Sequence, residues 1–403
     1  MRLFPLLPAM LLALPCCTLQ ERLDKVSGKL EAQFDSIKSW EQLPERTISW
    51  NQAVAMMKRN NPEYINTLSS ISRAERSELS VYTDLIPGLS YYSFFSKSLG
   101  DITSELNSSD MAHNVNVTFY IPSLTQVPYR VYATKVTTFA AIKALEGKER
   151  ELISKLYVQQ RKQNLNIRQK ALDSQKPDVR SELQLKKKNE EVSDWMELAQ
   201  LLGDYSARWH ILPASVPEFK WSKYRNLTGK LDPLIVCKLA LDLEQARMSQ
   251  YSIALNYLPT INLNLYSPSL FSSTGGTYSG TFLDTDDTTL NLSLSYTLDT
   301  KLRTWNNYQD SKVTYELRKR ETSAKLVDLR HKLKALRTSM EDYYTWRSFM
   351  LKRMEHLRST PAINAAEFLE NENSLHSMQK ELLNQESAVI ESEAALILQY
   401  GLR

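Results

Sequence analysis

Asn61-Pro62, then Arg73-Ala74-Glu75-Arg76, then Leu85-Ile86-Pro87 opening onto Leu89-Ser90-Tyr91-Tyr92-Ser93-Phe94-Phe95, reads as a helix that runs into an apolar-Pro step and changes period into a strand. The same order returns as Asp232-Pro233, Gln245-Ala246-Arg247, and Tyr257-Leu258-Pro259 opening onto Ile261-Asn262-Leu263-Asn264-Leu265-Tyr266. Ala74 is as far from Ala246 as Pro87 is from Pro259, so the match is a register and not a shared composition. The chain is an internal duplication.

The match continues beyond each copy. An alternating segment (Val115, Val117, Phe119 and Ile121 in the first half; Leu290, Leu292, Leu294, Tyr296 and Leu298 in the second) precedes a long charged helical run. Each half therefore predicts helix, strand, loop, strand, long helix, helix. The first repeat spans residues 49–203, with strands at about 88–96 and 114–122; the second spans 231–403, with strands at about 260–267 and 289–298. Between them, 204–230 is a Pro- and aromatic-rich connector, and 18–48 is a polar arm, extended or short helical. The predicted helix from about Pro128 to Asp173 would be about 65–70 Å long, too long for an ordinary globular helix. A second such helix runs from about Thr300 to His356. In the last helix Phe368, Leu375, Leu382, Val389 and Leu396 recur every seventh residue, a coiled-coil stripe.

Residues 1–17 read as a secretory signal: a positive start, an apolar run too short for a membrane span, and Cys16-Cys17 at its close. Cys16 and Cys17 are the candidate acylation sites, with ordinary cleavage the alternative. Cys237 is left alone in the body, which excludes a disulfide framework and suits a small buried apolar residue. Ten glycines in 403 residues fit long helices, and a net charge of +4 does not call for nucleic acid. After the signal no apolar run reaches the ~18 residues of a membrane helix. If the chain crosses a membrane, it does so as strands.

The strands suit that. Ile261, Leu263 and Leu265 alternate with Thr260, Asn262 and Asn264, as Leu290, Leu292 and Leu294 do with Asn291, Ser293 and Ser295, giving one apolar and one uncharged polar face. A helix-covered sheet with one wet face is the competing reading. Four strands cannot close a barrel, and an open edge cannot stand in lipid. Two copies would give eight strands and a filled core; three would give twelve and a lumen, which the Asn, Ser and Thr faces suit better.

Other chemistry finds little support. His113, His210, His331, His356 and His376 lie on different elements without metal-ligand spacing, and Asp284, Asp286 and Asp287 lack the rest of a calcium loop. No phosphate-binding glycine loop or nucleophile elbow occurs. No cofactor and no enzyme activity are expected.

The duplicated order, the Asn-Pro and apolar-Pro steps, the strand pairs and the Leu201-Leu202-Gly203 and Gln399-Tyr400-Gly401 endings resemble the TolC-like outer membrane efflux proteins across about residues 49–403. The resemblance implies an α+β membrane protein, an α-helical coiled-coil barrel continued from a twelve-stranded transmembrane β-barrel to which each chain of a homotrimer gives four strands. It implies location in the outer membrane, with the helices in the periplasm. Substrates would arrive from an inner-membrane pump and a periplasmic adaptor protein. The hairpin turns at Asp173, Lys176, Pro177 and Asp178, and at Arg358, Ser359, Thr360 and Pro361, would be the tip that docks the adaptor. Val115, Val117, Phe119, Ile121, Ile261, Leu263, Leu265, Leu290, Leu292, Leu294, Tyr296 and Leu298 would face outer membrane lipid. The tips depart from the family pattern in lacking a glycine after Arg168 and Arg353. The alternative is a helical envelope lipoprotein, a tether without a pore.

Overall fold

The computed structural model of the protein describes residues 21–35, 42–83, 86, 88–95, 111–121, 126–173, 182–255, 260–267, 289–295, 302–360 and 365–402. For the strands of its larger sheet and for residues 182–191 the description is of the backbone. Nine α-helices and six strands make up these residues. In the N-terminal arm, helix α1 (residues 21–35) is exposed on all sides and precedes strand β1 (Glu45–Ile48).

The first repeat opens with α2 (Trp50–Asn60), which Ser49 caps by a reciprocal box: its hydroxyl accepts from the Gln52 N–H, and the Gln52 side chain accepts from the Ser49 N–H. Then come α3 (Pro62–Thr83), β2 (Gly88–Phe95), β3 (Met111–Ile121), the 48-residue α4 (Gln126–Asp173) and α5 (Glu182–Leu202). The connector holds β4 (Arg208–Ile211), a 3₁₀ turn (Pro213–Ser215) and α6 (Trp221–Arg225). The second repeat gives α7 (Pro233–Leu255), β5 (Thr260–Ser267), β6 (Thr289–Ser295), the 57-residue α8 (Arg303–Ser359) and α9 (Ala365–Tyr400).

The arm and the connector are not separate features. β1 pairs in parallel with β4, Thr47 opposite His210, and Arg208 ion-pairs with Glu45 at 3.1 Å. Strands of four residues fall below the length at which alternation can be recognised, so sequence pattern leaves the connector irregular and the arm undecided between extended and short helical. This small sheet, α2 and α6 form a belt laid against the helices at mid-height. Its core contains Trp50, Tyr157, Leu198, Trp209, Ile211, Tyr224, Met340, Leu396 and Tyr400, drawn from both repeats.

On α9 the sevenfold stripe is buried only toward its C-terminal end. Leu396 is inaccessible and Val389 nearly so, whereas Phe368 near the tip is 54% exposed. A second stripe, Leu383 and Ile390, packs on Leu165 and Leu172 of α4. Cys237 is half-buried on α7, not enclosed, because that helix belongs to a wall one helix thick.

The two repeats end alike. Gly203 closes α5 with φ +67 and Gly401 closes α9 with φ +77. At Gly203 the 6→1 bond from the Asp204 N–H to the Ala199 carbonyl (3.1 Å) accompanies the 5→2 bond to Gln200; at Gly401 a single 5→1 bond reaches Ile397. A methyl group at Gly203 would also overlap the Asn60 carbonyl, whereas at Gly401 it would make only an ordinary contact, 3.8 Å from Arg150 Nε. Gly401→Ala is therefore expected to cost about 1 kcal/mol and Gly203→Ala more than ~2 kcal/mol in urea unfolding. Equal losses would mean that the close approach of α2 to α5 is unimportant.

Candidate functional site

The larger sheet is where the repeats join. Its order is β2-β3-β5-β6, antiparallel throughout, so the β2-β3 hairpin of the first repeat meets the β5-β6 hairpin of the second at β3-β5. The register sets like against like. Ile121, Ile261 and Leu294 form one row across the sheet; Phe119, Leu263 and Leu292 the next of that kind; Val117, Leu265 and Leu290, with Leu89 beyond, the third. Between them lie Tyr120-Asn262-Ser293 and Thr118-Asn264-Asn291. Because neighbours in a row share a face and successive rows alternate, the sheet over these rows has one apolar face and one polar face without charge; farther along the β2-β3 ladder Ser93-His113 falls on the first face and Phe94-Ala112 on the second. Val115 stands opposite Tyr91 and Ser267. Tyr296 and Leu298 lie outside the described residues.

The helices repeat this order. Toward the sheet, α3 packs beside α4, α4 beside α7 and α7 beside α8; toward the tip, α5 packs beside α4, α4 beside α9 and α9 beside α8. The protein is thus a wall that ends on one side in β2, α3 and α5, and on the other in β6 and α8. The end helices carry exposed apolar stripes: Ile65, Leu68, Leu79 and Tyr82 on α3, and Val313, Leu317 and Val327 on α8.

At the belt the repeats are clasped by matching positions with different chemistry. Asn61, almost fully buried, caps α3 by accepting from the Glu63 and Tyr64 N–H groups, while its amide donates to the Gln200 and Leu201 carbonyls at the end of α5. Its counterpart Asp232 also caps its helix, accepting from the Leu234 N–H at 2.9 Å. A carboxylate cannot donate, so Arg150 of α4 stands between, bonding Asp232 at 2.8 Å and the Gln399 carbonyl of α9 at 3.0 Å. Pro at the first helical position in both repeats removes an N–H that the helix could not use.

Below the belt, α4 and α9 run antiparallel and share an ionic ladder. Glu386 accepts from Arg161 at 2.9 Å and from Arg168 at 2.8 Å; Glu393 accepts from the Tyr157 hydroxyl at 2.7 Å and lies 3.7 Å from Arg161. Burial pushes the Glu393 carboxyl up, against the pull of Arg161, and burial together with the Glu393 charge holds the Tyr157 hydroxyl above the ordinary phenol range. Isolated charges on long helices read as solvated faces in sequence. The signal was present as heptad spacing, Arg161 and Arg168 facing Glu386 and Glu393, but only across two helices far apart in the chain.

At the tip, Asp173 ends α4, and Arg358, Ser359 and Thr360 end α8. The His356 carbonyl accepts from the Thr360 N–H and from the Ser359 and Thr360 hydroxyls, which satisfies an orphan helix end. Lys176, Pro177, Asp178 and Pro361 lie outside the described residues, as do Cys16 and Cys17. Among the described residues no cluster of His, Cys, Asp and Glu could hold a metal, and no helix is long and apolar enough to cross a membrane.

No protein-family model and no curated relative matches the chain. Solved structures do. The outer membrane protein VceC of Vibrio cholerae aligns over 87% of this chain and 95% of its own, with TM-score 0.57 and 15% identity. CusC, described for folding and transmembrane channel formation, aligns over 91% and 97% with TM-score 0.58 and 14% identity. The Neisseria gonorrhoeae MtrE outer membrane channel in its open state gives TM-score 0.54, 15% identity and coverage of 87% and 89%. The chain has a TolC-like fold.

Proposed function

We propose that three copies of this chain close into an outer membrane duct that passively conducts substrates from an inner-membrane pump and a periplasmic adaptor to the exterior. The observation that carries it is the wall with two open edges running its full height. Four antiparallel strands leave β2 and β6 running in opposite directions, so β6 of one copy meeting β2 of the next makes an antiparallel pair like every other in the sheet. The same step brings the exposed stripe of α8 to that of α3, covering apolar surface that a single chain leaves in water. Ring closure removes the sheet edges, which lipid requires. Three copies give twelve strands and a lumen, and the uncharged polar rows of Asn, Ser and Thr suit its water.

In this reading Val115, Val117, Phe119, Ile121, Ile261, Leu263, Leu265, Leu290, Leu292, Leu294, Tyr296 and Leu298 face lipid. Residues 1–17 direct export, with Cys16 or Cys17 as a lipid anchor, and the turns at Asp173–Asp178 and Arg358–Pro361 meet the adaptor. The test is native mass in detergent. Three protomers are expected, each the 46.4 kDa chain less its export signal. A stable monomer would sink the shared barrel and bring forward the pore-less tether.

A further inference from the structure

Between α8 and α9, at the height of the belt, runs a groove of 830 Å³ lined by His331, Lys334, Asp342 and Trp346 of α8 and by Gln385 and Val389 of α9. It opens on the side of α8 away from α6, over Tyr343 and Val389, which belong to the belt core. Met340 is buried in the belt core, Tyr344 stacks on Trp221 of α6, and Glu341 binds Arg225 of α6 at 3.2 Å. Asp342 stands two residues from both Met340 and Tyr344, about 200° around the helix, and Trp346 beside it packs against the edge of that core. If the belt wraps the outside of a duct, this groove opens to the lumen, so the inference rests on the duct reading.

The groove is chemically polarised. Glu341 takes two arginines, Arg225 and Arg337, whereas its neighbour Asp342, exposed, has no ion-pair partner among the described residues. One turn from Asp342 on the same face, the half-buried Trp346 ring packs at 29° to the ring of the buried Tyr343, at a centroid distance of 6.4 Å. The basic side chains of His331 and Lys334 sit at the opposite end, about 12 Å along the helix from Asp342 for Lys334. A carboxylate beside a fixed indole face is the combination that receives a cation with an apolar body: the carboxylate takes the charge, and the ring adds both apolar contact and quadrupole attraction. Both helices come from one copy, so closure of the ring does not divide the groove.

We infer that this groove is a duct-facing site for amphiphilic organic cations, with Asp342 receiving the charge and Trp346 the apolar body. The probe is tetraphenylphosphonium, with tetraphenylborate as an anion of the same shape, both in equilibrium dialysis against the full-length detergent-solubilised protein. The cation is expected to bind, to lose about tenfold in affinity in Asp342→Asn and several-fold in Trp346→Leu, and to be unaffected by Glu341→Gln on the belt side. Undiminished binding in Asp342→Asn, or equal binding of tetraphenylborate, would overturn the assignment. Planar-bilayer recordings of the wild type separate this from the duct reading. Conductance blocked by the cation upholds both. An absent conductance together with Asp342-dependent binding would refute the duct and leave the site standing.

Discussion

Leu292→Arg is expected to destabilise the membrane-inserted protein by about 2–4 kcal/mol per chain, and Asn291→Arg by far less. Leu292 stands opposite Leu263 in the middle of an apolar row that Phe119 extends on β3, so in the proposed duct a guanidinium there would sit near mid-bilayer, opposite a leucine. Asn291 belongs to the adjacent row, opposite Asn264, which in the proposed duct borders water. One residue of sequence thus separates a large effect from a small one, since the pleat sends neighbours to opposite faces. Leu263→Arg should match Leu292→Arg, and the double variant should cost other than the sum because the two positions are directly paired in the register. Urea titration of the protein folded into phospholipid vesicles reads all four. Near-neutral Leu292→Arg with a damaging Asn291→Arg would invert the faces. Two near-neutral results would mean that the sheet does not meet lipid.

How much of this can be read from the chain differs by element, for physical reasons. The duplication is legible because Asn61-Pro62 and Asp232-Pro233, and Gly203 and Gly401, hold backbone positions that few other residues satisfy, and because Pro87 and Pro259 recur at the same spacing in the sequence. The strands are legible because β5, β6 and the Val115–Ile121 part of β3 alternate strictly. The belt sheet is not, since Glu45–Ile48 and Arg208–Ile211 are short and pair across a large sequence distance. Nor is the wall's pair of open edges: Ile65 or Val313 looks like any core position until the neighbours of α3 and α8 are known. The groove at Asp342 was invisible for the same reason. Its meaning comes from what Glu341 and Met340 touch on the other side of the helix.

The clasp at the second repeat carries the other large effect. Arg150→Met would leave the Asp232 carboxylate, 3% exposed, without its cation and the Gln399 carbonyl without its donor; a loss of about 3–5 kcal/mol is expected. Asp232→Asn alone should be comparably harmful, because it leaves the Arg150 guanidinium, whose side chain is 18% exposed, short of its buried carboxylate. The double variant should recover most of the loss. Without the arginine, an asparagine at 232 can cap α7 through its oxygen and aim its amide at the Gln399 carbonyl, as Asn61 does toward the Leu201 carbonyl two residues before the matching glycine. The coupling is thus predicted to be strongly favourable in a double-variant cycle measured by denaturant unfolding at fixed protein concentration, which matters if the folded state is an assembly. Additive losses would mean that the two repeats, alike in backbone, are not interchangeable in how they fasten their helix ends. Recovery would mean that the charged clasp of the second repeat and the neutral clasp of the first are two solutions to one constraint: two buried helix ends that must share their unpaired N–H and C=O groups.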